Sequence, residues 1–185
     1  RKDLVFYEES GGGVTFSGGE PFGQSRFLKK LLLGCREERI HTAVDTSGYV
    51  SPAILHDLSP LIDLILFDLK FIDNEKQYHY TGVSVKPILK NLMWLQEHKR
   101  ELIVRIPLIP GITDTDENLK NLAKYLYEIN YSGRIDLLPY NPLGEDKYKK
   151  LNKERKLGKL KHQSVDELNH MKTIFMRYGF NMTNG

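Results

Sequence analysis

The stretch from Ser10 to Pro21, SGGGVTFSGGEP, places a short β-branched and aromatic run directly before a polar, glycine-rich turn. The run from Gly13 to Ser17 predicts a strand, and the glycines after it predict a tight turn at its carboxyl end. The same pattern recurs four times along the chain. The later runs are Thr42 to Thr46, Leu64 to Lys70, Leu102 to Pro107 and Ile135 to Tyr140.

Amphipathic segments between these runs predict helices, among them Gln24 to Ile40 and Val85 to His98. Helix starts are predicted at Ser51-Pro52, Asp114 to Glu117 and Ser164 to Glu167, from a capping residue, a first-position proline or an acidic first turn. Strands that alternate with helices and are apolar on both faces predict a parallel α/β sheet, either doubly wound or part of a βα barrel. The expected apolar helix faces are Phe27, Leu28, Leu31 and Leu32, and Ile88, Leu89, Leu92 and Leu95.

Composition predicts one soluble globular domain over residues 1–185, with 40% hydrophobic and 28% charged residues. No apolar run approaches the roughly 20 residues that span a bilayer. The net charge of +3 comes without a nucleic-acid-binding motif. Neither a membrane nor a nucleic-acid partner is therefore expected.

The single cysteine, Cys35, excludes a disulfide framework and a multi-cysteine metal site within the chain, and it suits a reducing cytoplasm. The charged, poorly periodic segment from Asn141 to Gln163 predicts a loop.

Polar residues gather where the predicted strands end. In doubly wound sheets and βα barrels alike, the active site forms outside the carboxyl ends of the strands. The first strand ends in Gly18-Gly19-Glu20, the second in Asp45-Thr46, the third in Asp68-Leu69-Lys70 and the fifth in Pro139-Tyr140-Asn141. Arg105 lies inside the fourth strand. These residues are the candidates for a binding site.

Each candidate also has an interpretation that needs no ligand. Gly18-Gly19 could form only a tight turn, although glycine at a strand tip also lets the backbone approach a ligand closely. Asp68 and Lys70, two residues apart, project to one side of a strand and could form a structural ion pair or bind one ligand. Asp45-Thr46 could cap a turn. The always-charged guanidinium of Arg105 needs an anionic partner in a buried strand, and a ligand carboxylate could supply it.

The run SGGGVTFSGGEP resembles the corresponding segment of the glycyl-radical-enzyme activating enzymes of the radical S-adenosylmethionine (SAM) class, the pyruvate formate-lyase activator above all. Four further segments match that family in order: His41 to Gly48, Asp68-Leu69-Lys70, Arg105 to Gly111 and Leu137 to Asn141. The resemblance covers nearly the whole chain. It implies a partial parallel βα barrel of the TIM-like, radical SAM type.

The resemblance also implies roles for the strand-end residues. Gly18-Gly19-Glu20 would bind the methionyl end of SAM, and Asp68-Leu69-Lys70 would contact the same cofactor. Arg105 would lie in that pocket too. Asp45-Thr46 and the carboxylate that ends the third strand match positions that hold a monovalent cation beside SAM in some relatives. The pyruvate formate-lyase activator has a cofactor-contacting histidine after its Leu-Pro-Tyr motif, whereas this chain has Asn141, which can still form a hydrogen bond.

One departure from the family is large. The motif Cys-x-x-x-Cys-x-x-Cys, whose three thiolates hold a [4Fe-4S] cluster and leave one iron open for SAM, is absent from the chain. In the family this motif follows the first strand, upstream of the glycine-rich segment. The chain is therefore expected to lack the first βα unit of the barrel, the iron-sulfur ligands and any catalytic residue of its own. Cys35, within an amphipathic helix, is interpreted as an ordinary core or surface thiol.

The implied reaction of the longer parent protein begins when the reduced cluster donates an electron to SAM. SAM then splits into methionine and a 5′-deoxyadenosyl radical, which abstracts hydrogen from a glycine of a partner. The implied partners are a glycyl radical enzyme such as pyruvate formate-lyase and an electron donor such as flavodoxin or ferredoxin. This chain alone would be inactive. Two alternatives remain: a βα-barrel aldolase that uses Lys70 as a Schiff-base nucleophile, and a non-catalytic barrel scaffold.

Overall fold

The computed structural model describes residues 12–141 and 160–182. Its strands are β1 (Gly13–Phe16), β2 (His41–Thr46), β3 (Leu64–Asp68), β4 (Leu102–Pro107) and β5 (Ile135–Leu138). Its α-helices are α1 (Ser25–Glu37), α2 (Pro52–Leu58), α3 (Asn74–Thr81), α4 (Val85–Glu97), α5 (Asp116–Glu128) and α6 (Val165–Met176). Every strand is followed by at least one helix, so the five predicted βα units are confirmed.

The strands of the described residues form one sheet in the order β1-β2-β3-β4-β5. β1 pairs with β2 and β2 with β3 in parallel, with Phe16 opposite Val44 and Thr46 opposite Phe67. A doubly wound sheet reverses its strand order at a switch point, whereas a βα barrel adds each strand beside the last. The unbroken order therefore favours a partial barrel, a choice that periodicity in the sequence left open.

Burial alternates along the inner strands. In β3, Ile65 and Phe67 are buried, while Leu66 and Asp68 are only half-buried. β4 shows the same alternation, with Arg105 on its half-buried face. The prediction that these strands are buried on both faces is therefore correct for one face only. The other face keeps room for polar side chains.

The two predicted amphipathic helices are confirmed as α1 and α4, with ends that lie within three residues of the predicted ones. Leu28 and Leu32 of α1 are buried, four residues apart on one face. Phe27 was expected on the same face but is 59% exposed. At about 100° per residue, Phe27 lies on the solvent side of the stripe that these leucines form.

The helix starts that were predicted from capping residues agree with the structure to within two residues. α6 begins with the predicted capping box, in which Ser164 Oγ accepts from Glu167 N and a Glu167 carboxylate oxygen accepts from Ser164 N. α2 begins at Pro52 as predicted, although the side chain of Ser51 makes no capping hydrogen bond. α5 begins two residues after Asp114.

Helix α3 was not predicted from the sequence. It is a mostly polar helix without a clear apolar stripe, and only the residues that cap its two ends indicate it in the sequence. Asp73 caps its start by accepting hydrogen bonds from Glu75 N and Lys76 N, and Gly82 ends it in the left-handed region at φ +77°. An aspartate followed nine residues later by a glycine was the available signal.

The chain divides into two compact units, Arg1–Val104 and Arg105–Gly185, with the boundary inside β4. The assignment of residues 1–185 to a single domain stays a prediction. Most of the predicted loop over residues 141–163 lies outside the described residues, which leave out 142–159. In the parts of the chain that the structure covers, no helix is long and apolar enough to cross a membrane.

Candidate active site

The carboxyl end of β1 carries two glycines in backbone conformations that other residues rarely adopt. Gly18 has φ +89° and Gly19 has φ +59°. A Cβ atom added at either glycine would meet no atom within 4 Å. Glycine is therefore favoured at both positions because of the positive φ angle, and not because a side chain would clash with its surroundings. Both glycines are exposed, so their main chain is open to a ligand.

Glu20 joins the carboxyl ends of β1 and β2. Its Oε1 accepts a hydrogen bond from Thr46 Oγ1 at 2.8 Å. Its Oε2 accepts from Ser47 N at 3.0 Å and from Ser47 Oγ at 2.6 Å. Both carboxylate oxygens are thus engaged with the end of the neighbouring strand. Ser47, a polar strand-end residue for which no role was predicted from the sequence, supplies two of the three donors.

The loop after β2 is held from a second direction by Asn91 of α4. Asn91 is 1% exposed, and its Nδ2 donates to Gly48 O and to Val50 O, each at 2.9 Å. Gly48 has φ +72°, and a Cβ atom there would lie 2.2 Å from the Phe67 ring. The sequence signal for Asn91 was an asparagine on the apolar face of a predicted helix, because a buried amide needs partners.

The three residues of the predicted monovalent-cation site do not all face one way. Asp45 is paired in register with Leu66, two residues before Asp68, so Asp45 and Asp68 project to the same half-buried face. The side chain of Thr46 projects to the opposite, buried face, where its hydroxyl binds Glu20. On the half-buried face that carries Asp45, Thr46 could therefore contribute only a main-chain oxygen to a cation. Among the described residues there is no group of three His, Cys, Asp or Glu side chains that could hold a metal ion.

Asp68 and Lys70 form the ion pair that their spacing predicts. Lys70 Nζ lies 3.6 Å from Asp68 Oδ2, and the side chains are 27% and 20% exposed. Both residues line a cavity of about 220 Å³. They end the third predicted strand, although β3 itself stops at Asp68. The remaining lining residues are Ser47, Tyr49, Leu69, Gln77, Thr81, Val83 and Ile88.

Arg105 and Asn141, the other two candidates, belong to the second unit. Arg105 is half-buried on β4, and Asn141 is exposed after β5. Gln163 organises this part of the unit: its Nε2 donates to Asp114 Oδ2 at 2.9 Å, and its Oε1 accepts from Tyr140 N at 3.0 Å. From the sequence, Gln163 was predicted only as the end of a loop.

The second unit also has a wide surface groove of about 890 Å³. It lies beside Tyr127, Tyr131, Arg134 and Phe180, next to the amino end of β5. Active sites of parallel α/β folds form at the opposite, carboxyl ends of the strands. The larger groove is therefore not the candidate active site.

The residues present fit one of the two implied cofactors. Exposed glycine main chain, a lysine and an aspartate match the ammonium and carboxylate groups of the methionyl end of SAM. The chain has one cysteine, so it cannot supply the three thiolates of a [4Fe-4S] cluster. Burial, and to a lesser degree the charge of Asp63, raises the pKa of the half-buried Cys35 thiol, which disfavours the thiolate that binds iron.

The sequence matches the model of the Radical SAM superfamily over residues 3–124. It is 38% identical over 183 residues to the choline trimethylamine-lyase activating enzyme of Oleidesulfovibrio alaskensis, covering 97% of this chain and 59% of that protein. It is 39% identical to the trans-4-hydroxy-L-proline dehydratase activating enzyme of Clostridioides difficile, covering 97% and 60%. The chain thus spans about three-fifths of the length of these relatives.

A solved structure of similar extent supports the fold. The crystal structure of a domain of pyruvate-formate lyase-activating enzyme from Bacteroides vulgatus matches with a TM-score of 0.77 and 30% identity, covering 94% of this chain and 99% of that one. The partial TIM-like barrel of the radical SAM type is therefore confirmed. The chain belongs to the radical SAM superfamily, and its relatives are activating enzymes of glycyl radical enzymes.

Proposed function

We propose that the parent protein of this chain cleaves SAM reductively at a [4Fe-4S] cluster and generates a glycyl radical on a partner enzyme. The chain would supply the SAM side of that site. The observation that carries the proposal is the arrangement at the ends of β1 to β3. There, exposed Gly18-Gly19 main chain, the Glu20 link to β2 and the Asp68–Lys70 pair lie on consecutive strands.

Each residue has a role that its chemistry supports. The carbonyls of Gly18 and Gly19 accept hydrogen bonds from the ligand ammonium, and Glu20 fixes the turn that presents them. Lys70 neutralises the ligand carboxylate, and Asp68 accepts from a donor on the same molecule. The other proposed SAM contacts are Leu69, Arg105 and Asn141, and the proposed monovalent-cation ligands are Asp45, Thr46 and Asp68.

When bound, SAM and the cluster would supply the radical chemistry that removes a hydrogen atom from glycine. This chain's residues do not hold the cluster, which would be bound elsewhere in the parent protein. The partner would be a glycyl radical enzyme such as pyruvate formate-lyase, and flavodoxin or ferredoxin would supply the electron. We place the reaction in the cytoplasm. An aldolase that uses Lys70 is not favoured, because the named relatives are activating enzymes.

SAM binding to the 185-residue chain tests the proposed site. Calorimetry should show saturable binding, and Lys70→Met should weaken it about ten-fold or more, because a charged hydrogen-bond partner is lost. Lys90→Met, on the exposed side of α4, is the matched control and should bind normally. Equal affinity of the chain and its Lys70→Met variant would remove the assignment of Lys70.

Activity is tested in the parent protein. After anaerobic reconstitution and reduction, it should convert SAM to methionine and 5′-deoxyadenosine. A parent that binds SAM but never cleaves it, with a cluster present and reduced, would contradict the proposed reaction. Borohydride trapping with a carbonyl substrate should leave Lys70 unmodified, whereas a covalent adduct would restore the aldolase alternative.

A further inference from the structure

The side-chain amide of Gln163 joins three segments of the second unit. Its Nε2 donates to Leu108 O at 3.1 Å and to Asp114 Oδ2 at 2.9 Å, and its Oε1 accepts from Tyr140 N at 3.0 Å. Leu108 and Asp114 belong to the loop after β4, whereas Tyr140 follows β5. A main-chain N–H only donates and a carbonyl only accepts, so these partners allow the amide a single orientation.

Gln163 and Asp114 both project from fixed positions, because each stands one residue before the cap of a helix. Thr115 caps α5 by accepting a hydrogen bond from Asn118 N at 3.3 Å. Ser164 caps α6 with its capping box. A capped helix start has a defined backbone conformation. The bond between the two side chains therefore joins the starts of α5 and α6.

The loop after β4 is held by buried polar groups of its own. Thr113 is 1% exposed, and its hydroxyl accepts from Ile109 N at 2.6 Å and donates to Pro107 O at 2.5 Å. Asn118 is 2% exposed and donates from Nδ2 to Thr113 O at 2.8 Å. Two of the bonds of Gln163 thus end on a loop that is already fixed.

The chain after β5 is held in a different way. β5 ends at Leu138, whose carbonyl accepts from Leu108 N at 2.8 Å, a bond between main chains. Two residues later, Tyr140 N donates to a side chain, that of Gln163. A bond to a side chain depends on the identity of that residue, whereas a bond between main chains does not. Gln163 therefore helps to set the position of Tyr140 and of the next residue, Asn141.

The partners of Gln163 lie where an active site is expected. All three follow the carboxyl end of β4 or β5, the side of a parallel α/β fold on which active sites form. None of the three belongs to a helix or a strand. The amide therefore orders the strand-end loops and not the hydrophobic core. Side chains that hold a binding residue in this way decide how precisely it meets its ligand.

We infer that Gln163 is a positioning residue for SAM binding: its amide fixes Tyr140 and thereby holds Asn141 at the proposed site. The inference rests on the proposed function, in which Asn141 contacts SAM. It adds a residue that acts without touching the cofactor or the reacting atoms. Its effect on binding follows because a displacement of about 1 Å in a contact residue is enough to weaken a site.

The first test measures the SAM affinity of the 185-residue chain by calorimetry. Gln163→Met removes the three hydrogen bonds but keeps the length of the side chain. It should weaken SAM binding about three- to ten-fold, the effect of about one net hydrogen bond, and Asn141→Ala should weaken it by a similar factor. Gln96→Met, at a half-buried glutamine near the end of α4, is the matched control and should bind SAM as the wild-type chain does.

The double variant shows whether Gln163 acts through Asn141. Once the side chain of Asn141 is removed, Gln163 has no contact residue to hold. The double variant should therefore bind SAM no more weakly than Asn141→Ala alone, whereas independent effects would multiply to about ten- to hundred-fold. Multiplied losses, or a Gln163→Met variant with wild-type affinity, would overturn the inference.

Gln163→Glu provides a reversible form of the same test. The introduced carboxyl group would face Asp114, and two carboxylates at such a distance share one proton when the pH is low enough. Its SAM affinity should be weak at about pH 8 and approach the wild-type value at about pH 5.5, where the shared proton restores a hydrogen bond. Gln163→Met should show no such recovery, although the nearby His162 and Tyr140 are the same in both variants. An identical pH response of the two variants would contradict the inference.

Two further observations keep the outcomes separate. Circular dichroism checks that each variant is folded, and if Gln163→Met does not fold, the comparison of Gln163→Glu with the wild-type chain at the two pH values decides. If the wild-type chain does not bind SAM, the proposed site fails and the inference fails with it. If the wild-type chain binds SAM but the variants do not behave as expected, only the role of Gln163 fails.

Discussion

Gly48 is the residue at which backbone conformation and packing act together. Its φ of +72° lies in the left-handed region, and the position of its missing Cβ is occupied by the Phe67 ring. Phe67 is fully buried on β3, so it has little freedom to move away. Any side chain at position 48 would therefore push the loop after β2 away from β3 and displace Ser47 from Glu20.

We expect Gly48→Ala to lower the free energy of unfolding by about 2–5 kcal/mol, from backbone strain of about 1–2 and overpacking of about 1–3. Gly82→Ala is the matched control, because Gly82 has φ +77° but open space around it. It should cost only the strain, about 1–2 kcal/mol. Urea unfolding of both variants measures the difference. Similar losses would show that the Phe67 contact yields easily.

The helices contribute to the site mainly as anchors. α4 packs Ile88, Leu92 and Leu95 into the core and uses Asn91, on the same face, to bind two carbonyls of the loop after β2. A buried amide among aliphatic side chains is favourable only while its partners are present. The position of the cavity wall thus depends on a residue of a helix that begins about 35 residues later in the chain.

Asn91→Leu should fill the same space but leave the carbonyls of Gly48 and Val50 without their donor. We expect a loss of about 2–4 kcal/mol in the free energy of unfolding. Faster amide hydrogen exchange at residues 47–50 should accompany it. Asn121→Leu, on an exposed position of α5, should change stability by less than about 0.5 kcal/mol. Unchanged exchange in the loop would mean that Glu20 alone holds it.

α5 and α6 are connected by a hydrogen bond between His170 and Asp116. His170 Nε2 lies 2.9 Å from Asp116 Oδ1, in the first turn of α5. The hydrogen bond to His170 is the main cause that holds the pKa of the Asp116 carboxyl below its usual range, with smaller contributions from the charges of His170 and Lys120. Both side chains of the pair are about half-exposed, so solvent screens the interaction.

The Asp116 carboxyl has a lower pKa in the folded state than its value near 4 in the unfolded chain, so its charge stabilises the folded state at pH values above about 4. This contribution is lost as the pH falls through the pKa of the folded state. The wild-type chain should therefore be more stable than His170→Ala by about 0.2–0.5 kcal/mol at pH 5.5, and by less at pH 2.5. Urea midpoints at both pH values measure this. His79→Ala, at an exposed histidine of α3, should show no such change. An equal difference at both pH values would contradict the role of Asp116.

The whole chain carries the SAM side of the proposed site but not the ligands of a cluster. Its single thiol, Cys35, lies on α1, and burial raises its pKa. In the described residues no three metal-binding side chains come together. In the proposed site, this chain's residues would therefore hold the methionyl group of SAM, but they cannot bind the cluster that would supply the electron.

Incubation of the chain with iron and sulfide under reducing, anaerobic conditions should give no visible charge-transfer absorbance after desalting, because three thiolates are needed. Cys35→Ser should behave identically. Iron and sulfide analysis provides the measurement. A stable cluster that disappears in Cys35→Ser would show that the chain, as a dimer or higher assembly, builds a cluster site of its own.

Elements with a local sequence signal were predicted correctly. The apolar run of β4 and the capping box of Ser164 specify structure within a few residues. Helix α3 and its buried Gln77 were not predicted, because a polar helix has no apolar period. Phe27 was wrongly predicted on the buried face, because periodicity does not show where an apolar stripe ends.

Periodicity, capping and composition are local properties, so the five βα units, the polar strand ends and the lack of three cysteines follow from the sequence alone. That Glu20 binds Thr46 and Ser47, 26 and 27 residues away, becomes apparent only in the folded chain. The same is true of Asn91, which holds the loop after β2, 41 to 43 residues away. These contacts depend on strand register and helix packing, which bring distant residues together and leave no mark in the local sequence.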